Sequence, residues 1–441
     1  MFRTIVNAFK IKDVRKRLLY TLLTLVIIRL GSQLPVPGVN RSYFANWFAQ
    51  QNGDAFSFFD AFTGGSFTSM SVFALGITPY IMASIIIQML TLSIPKLEEM
   101  SREEDGHKKL NEATRYATVG LALFEAIGMA VGFGQRGLLD PQNRTFLNYA
   151  TVALALTAGA AFVMWLGEQI TEKGIGNGSS IILVFNIASR IPSDISGLYN
   201  QFVASASNVG KAILSGIIII AVIVLTIVLT VLLNAGVRKI PVHYNGRSNA
   251  SRIAAMGNTN NIPLRINTSG VMPVIFASSL MQFPVIIFSM FGLDPGTGAW
   301  SHIMKALQSS YWFNRETPIY TLGLLLYVVL VIFFAYFYTA ITFNPVLISD
   351  NLKKRGGFIP GVRPGKPTTE YLNNILQYII FIGAVGLFIV VTIPIVFNGL
   401  FGASVTFAGT SLIIIVSVVL DSMRQVETMM VERNYKGFLN S

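Results

Sequence analysis

The stretch NLKKRGGFIPGVRPGKPTTE (351–370) sets five cations, Lys353, Lys354, Arg355, Arg363 and Lys366, among seven glycines and prolines. Arg presents a planar fork suited to phosphate or carboxylate, and Lys a compact charge. Glycine and proline add something charge alone lacks, a shaped backbone. The pair of features points to docking on an anionic surface, RNA phosphate or an acidic protein face. Other candidates for chemistry are sparse. His107, His243 and His302 are far apart and lack metal-ligand spacing, and the chain has no cysteine, which excludes disulfides, thiol catalysis and zinc–cysteine sites. There is no HExxH. GIGNGSS (174–180) lacks the Lys of a phosphate loop and the strand of a dinucleotide fold, so it reads as a tight turn between helices. Glu125, inside ATVGLALFEAIGMAVG, is expected to hydrogen-bond a neighbouring helix, with a proton or ion site as the alternative. No catalytic residue, metal or cofactor is expected.

The elements that must position these residues are membrane spans. Of 441 residues, 52% are hydrophobic and only 12% charged, and mean hydropathy is +0.58, whereas a soluble domain carries about 25% charged residues. Ten stretches are long and apolar enough to cross a bilayer: 18–34, 76–93, 115–134, 149–170, 179–199, 212–234, 270–291, 318–342, 372–397 and 405–424. Net charge is +12, and 25 of the 33 Lys and Arg residues fall in the termini and alternate loops. That asymmetry places both termini, and the loops 235–267 and 343–371, in the cytoplasm. The N-terminal run has Phe2, Ile5, Val6 and Phe9 at helical spacing and suggests a short helix on the membrane surface. Arg29 lies near the outer end of the first span and could snorkel.

Residues 55–75, AFSFFDAFTGGSFTSMSVFAL, fit no span. They form either an outer loop with a surface helix or a re-entrant helix inside a cavity, because irregular backbone cannot face lipid. The function classes left are a secondary transporter with a midplane site and a translocation pore served by cytoplasmic partners. The near absence of midplane charge and the large basic loops favour the pore.

Five stretches carry a resemblance over essentially the whole chain: SVFALGITPYIMASIIIQML (71–90), MWLGEQITEKGIGNGSSII (164–182), GVMPVIFASSLMQFP (270–284), NPVLISDNLKKRGGFIPGVRPGKPT (344–368) and FAGTSLIIIVSVVLD (407–421). They closely resemble the SecY family of protein-conducting channels, in its bacterial form. The resemblance implies an all-α membrane protein with ten transmembrane helices in two inverted, pseudo-symmetric halves, 18–199 and 212–424. These halves enclose an hourglass pore with a re-entrant plug helix at about 55–75, and are flanked by an N-terminal helix (1–17) and a cytoplasmic tail (425–441). It implies a channel in the bacterial plasma membrane that passes unfolded, signal-bearing polypeptide, releases hydrophobic segments into lipid, and hydrolyses nothing. Its implied partners are SecE, SecG, the ATPase SecA and the translating ribosome.

Motif matching assigns four sets of residues. The pore ring is Ile81, Ile85, Leu183, Ile187, Ile275 and Ile414; Leu183 stands where many relatives have Ile. Branched apolar collars block ions by dewetting, and 81/85 and 183/187 share helix faces as i, i+4 pairs. The plug residues Phe58, Phe59, Phe62 and Phe67 are expected to pack under the ring, with Gly64 and Gly65 permitting a bend. The lateral gate is Ser84 and Gln88 against Ser278, Ser279, Gln282 and Phe283, small and polar groups suited to a contact that must open. The docking surface for SecA or the ribosome is Lys353, Lys354, Arg355, Arg363 and Lys366, with Arg247 and Arg252 of the other loop.

Overall fold

A computed structural model describes residues 9–50, 60–103, 105–134, 139, 144–204, 209–244, 261–290, 299–308, 311–312, 318–401 and 411–439. Of the N-terminal helix expected at 1–17, residues 1–8 lie outside them and 12–17 belong to the start of the first spanning helix. Each of the ten expected spans is occupied by a helix. In the first half these are α1 (Lys12–Gly31), α3 (Thr78–Ser93), α5 (Gly106–Phe133), α6 (Phe146–Lys173) and α7 (Gly178–Leu198), with a short α2 (Arg41–Gln50) after α1 and α4 (Pro95–Arg102) after α3. In the second half they are α8 (Val209–Ala235), α9 (Met272–Met290), α11 (Thr321–Thr342), α13 (Lys366–Phe401) and α14 (Leu412–Leu439), with α10 (Ala299–Leu307) and α12 (Pro345–Lys354) between them.

Among the described residues, six helical stretches are long and apolar enough to cross a membrane unaided, and α3 with α4 makes a seventh as a pair bent by 106°. The helices α1, α9 and α14 fall short for local reasons. Cations at Lys12, Arg15, Lys16 and Arg17 occupy the first turns of α1, the apolar stretch of α9 counted is the shorter Met272–Phe288, and α14 carries Asp421, Arg424 and Glu427 into its charged tail. Several helices overrun their apolar stretch. α5 begins nine residues before 115 and α13 six before 372, because helical hydrogen bonding continues into water where side chains permit it.

Helix packing repeats between the halves. First and fourth spans pack together (α1 on α6, α8 on α13), as do second and third (α3 on α5, α9 on α11) and third and fourth (α5 on α6, α11 on α13). The halves meet along two lines. On one, α9 lies against α3 and α5, more lightly than it packs on α11; on the other, α14 lies against α7 and α1. The central apolar cluster draws on both halves, and a second is confined almost wholly to the first.

The chain is not purely helical. β1 (Val237–Pro241) pairs antiparallel with β3 (Asn261–Arg265), in the register Val237↔Arg265 to Pro241↔Asn261. β2 (His243–Tyr244) pairs with β4 (Gly357–Phe358), which ties the 235–267 loop to the 343–371 loop. His243 stacks on Phe358 with centroids 6.0 Å apart. Beneath the strands Ile240, Val242, Leu264, Leu352 and Ile359 form a core against Leu372 and Leu376 of α13.

The 55–75 segment differs most from expectation. Among the described residues, 60–63 are helical and 64–77 are turns apart from a bridge of Ser71 to Pro35, so helix does not run through the whole of the segment. Gly64, Gly65 and Gly76 have φ of +67°, +85° and +56°, values that end a right-handed helix and suit glycine. Ser69 Oγ donates to Gly65 O at 2.8 Å, so side chains also compete for the backbone. The segment is nonetheless largely buried in protein, as irregular backbone at membrane depth must be.

Candidate functional site

The six residues expected to form the ring come from four helices and lie in one apolar cluster. Ile81 and Ile85 project from α3, Leu183 and Ile187 from α7, Ile275 from α9 and Ile414 from α14. All are buried, none more than 6% exposed, and all belong to the central cluster. α7 is started by Asn177, whose Oδ1 accepts from Ser179 N at 3.1 Å and Ser180 N at 3.3 Å. GIGNGSS is thus the tight turn the sequence implies, with Gly176 at φ +75°.

Two adjoining cavities lie between the strands and the expected ring residues. The outer, about 400 Å³, has a mixed lining that includes Arg265, Asp421 and Arg424 beside Val271, Met272 and Val418. There Arg265 pairs with Asp421 at 3.1 Å. The inner, about 100 Å³, ends on Ile81, Leu183 and Ile275. They share Asn177, Ser180, Met272 and Tyr338, so the two adjoin. The inner one carries Ser84, Gln88, Asn177, Ser179 and Ser180 beside its apolar residues, and the charged groups are confined to the outer one.

The described part of the 55–75 segment lies against α7 around Asn186 and Arg190, farther along that helix from Asn177 than Leu183. Phe62 joins the ring cluster. Phe67 does not lie under the ring. It packs in the second cluster, edge to face with Phe44 at 5.5 Å and Phe133 at 6.2 Å, because the turns after Gly64 and Gly65 carry it sideways. Phe58 and Phe59 lie outside the described residues. Asp60, 2% exposed, pairs with Arg190 of α7. Asn186 Nδ2 donates to Phe62 O at 2.9 Å, and Arg29 Nη1 donates to Gly64 O at 2.9 Å. Arg29 therefore does not snorkel; it turns inward to a carbonyl. Sequence reasoning missed Arg29, Asn186 and Arg190 as partners of this segment. The available signal was an ionisable group within a span.

The seam between halves holds most of the proposed gate. Ser84 and Gln88 line the inner cavity opposite Met272, Ile275 and Phe276 of α9, and Gln88 Nε2 donates to Ser84 Oγ at 2.9 Å. Ser279, Gln282 and Phe283 follow Ile275 at helical spacing toward Ile286, which packs in the second cluster with Ala122 and Ala126 of α5. Ser278 is different: its Oγ lies 3.3 Å from Tyr327 Oη of α11, within the second half and not across the seam. Met272 and Phe276 were not singled out from sequence. Glu125 of α5 is 2% exposed, and its Oε2 has no hydrogen-bond partner among the described residues, so the bond expected to a neighbouring helix is not made at that oxygen.

Lys353, Lys354, Arg355, Arg363 and Lys366 are all exposed, on a loop whose backbone is fixed. Asn344 caps α12, accepting from Val346 N at 3.0 Å and Leu347 N at 3.2 Å. Ser349 Oγ donates to Gly365 O at 2.9 Å and Thr368 Oγ1 to Arg363 O at 2.8 Å. Gly356, Gly361 and Gly365 take φ of +67°, +80° and +101°. Arg247 and Arg252 lie outside the described residues.

Comparison with known proteins follows this architecture. The SecY family model matches residues 71–423. The protein translocase subunit SecY of Halalkalibacterium halodurans is 41% identical and that of Bacillus subtilis 40%, each covering all of this chain and all of the relative. A solved protein-conducting channel superposes with a TM-score of 0.68 at 18% identity, over 95% of this chain and 93% of that one. A SecY channel whose plug domain stabilises the closed state and maintains a membrane seal gives 0.66 at 18%, over 95% and 92%. Sec61 in a canine ribosome–channel complex from the endoplasmic reticulum gives 0.64 at 17%, over 95% and 93%. Matched by the family model over most of its length and by such relatives from end to end, the chain belongs to the SecY family of protein translocase subunits.

Proposed function

We propose that unfolded, signal-bearing polypeptide crosses the bacterial plasma membrane through the ring of Ile81, Ile85, Leu183, Ile187, Ile275 and Ile414. The single observation that carries this is that all six, from four helices of both halves, are buried in one apolar cluster. Three of them, Ile81, Leu183 and Ile275, line a cavity that adjoins a larger one holding Arg265, Asp421 and Arg424. A site that bound a small solute would need polar groups at that point; a collar that must pass any sequence and stop ions needs none. The 55–75 segment is the plug beyond the ring, with Phe62 against it.

The face carrying the strands is cytoplasmic, as the distribution of Lys and Arg requires. Its exposed cations, Arg363 foremost, with Arg247 and Arg252, receive SecA or the ribosome, and the two compete for one surface. That a Sec61 relative of the same fold occurs in a ribosome–channel complex supports this reading. The small subunits SecE and SecG and membrane lipid cover the apolar exterior, such as Ile213, Ile217, Ile220 and Val224 of α8, all exposed. The seam of α9 against α3 and α5 is the lateral gate.

The test is ion leak through liposomes holding the full complex. Ile85→Ser and Ile187→Ser each place a hydroxyl in the collar, favour its wetting and are expected to raise conductance. Unchanged conductance in both variants rejects the ring.

A further inference from the structure

Residues 60–70 are held against α7 and α1 by polar contacts that an apolar seal does not need. The Asp60 side chain is 3% exposed, and Oδ2 pairs with the Arg190 guanidinium, itself 23% exposed. The other oxygen, Oδ1, accepts from Thr68 N at 2.8 Å. One carboxylate thus closes the segment on itself and fastens it to α7. Asn186, four residues before Arg190 and on the same helix face, donates to Phe62 O at 2.9 Å. Arg29 of α1 donates to Gly64 O and reaches Ser189 Oγ at 3.5 Å. A Cβ at Gly64 would stand 3.1 Å from Asn186 Cα, so the backbones meet closely there.

Each of these bonds comes from the first half. Separating α9 from α3 and α5 breaks none of them. Opening the seam and releasing the segment are therefore two events, and the second requires parting Asp60 from Arg190. We infer that Arg190 is a positioning residue that latches the 60–70 segment over the ring through Asp60. The inference rests on reading that segment as the plug.

The electrostatics make the latch asymmetric. A buried carboxylate left without its counter-charge is strongly unfavourable. Without Arg190, Asp60 regains hydration only if the segment leaves its berth. Without the Asp60 charge, Arg190 already touches water and can turn outward, and an Asn in place of Asp60 still accepts from Thr68 N. Loss of the cation should therefore open the seal more than loss of the anion.

Ion leak is measured for the full chain in its membrane complex, reconstituted in liposomes. Arg190→Gln is expected to raise leak by about tenfold or more, Asp60→Asn by less, and Arg190→Lys hardly at all. Adding Asp60→Asn to Arg190→Gln should lower the leak again, because it removes the stranded charge. A purely structural role would add the two defects instead, and that result overturns the latch. Deleting 60–68 separates the latch from the plug. If the deletion raises leak and Arg190→Gln does not, the plug stands and the latch is wrong. If the deletion leaves a sealed, assembled complex, the plug reading fails and the latch fails with it.

Discussion

At the scale of single residues, Glu125 is the sharpest anomaly. Its carboxylate lies inside α5, on the face of Ala122, Ala126 and Met129, and its Oε2 has no hydrogen-bond partner among the described residues. A buried polar group without a partner costs about 1–3 kcal/mol. Glu125→Leu removes that cost at similar volume and should raise the thermal midpoint of the solubilised protein by about 1–3 °C. A lower midpoint, or lost export at unchanged leak, would show instead that the carboxylate acts. The proposed ring residues, all buried in one cluster, were singled out because their neighbours form long recognisable runs and 81/85 and 183/187 sit at i, i+4. Arg29, Asn186 and Arg190 were not. Their partners are backbone oxygens and a carboxylate more than 30 positions away in the chain, and residue type carries no information about such pairings.

At the scale of elements, the ten helices followed from apolar length, which the bilayer imposes on any span. Their ends did not, because helices continue into water. The turns that follow the helical residues 60–63 were not separated from them, since composition alone gives no φ at Gly64 and Gly65. The seam shows the same limit. Helix periodicity marks a stripe through Ser279, Gln282 and Phe283, but not that neighbouring Ser278 turns to Tyr327 of α11. If α9 must part from α3 and α5 to admit a signal sequence, joining them should stop export. The chain has no cysteine, so Ser84→Cys with Phe276→Cys, two positions that line one cavity, supplies the only thiols. A short crosslink formed there is expected to abolish export of signal-bearing substrates, and a reducible linker to restore it on reduction. Normal export with the crosslink complete removes the seam from the mechanism.

At the scale of the whole molecule, charge and shape are segregated. One apolar cluster draws on both halves, while Lys353, Lys354, Arg355, Arg363 and Lys366 are exposed on a loop held by β2–β4 pairing, by three glycines at positive φ and by its own core. The sequence announced that loop through its glycines and prolines; the strand pairing with 243–244 was hidden, since two-residue strands leave no periodic trace. A rigid loop loses little conformational freedom on binding, so its cations are spent on the partner and not on ordering themselves. Contacts of this kind are screened over about 8 Å at physiological salt, and each phosphate neutralised adds roughly one unit to the slope of log affinity against log salt. Ribosome affinity should therefore fall with salt, and Arg363→Glu should lower the affinity and flatten the slope by about one unit. The same variant should lose translocation driven by purified SecA, because both partners need one surface. Span topology should be intact, since 24 of the 25 cations that set it remain. If those cations served topology alone, the reverse holds: altered orientation with docking unchanged. Full SecA-driven translocation by Arg363→Glu in proteoliposomes would reduce the loop to a linker.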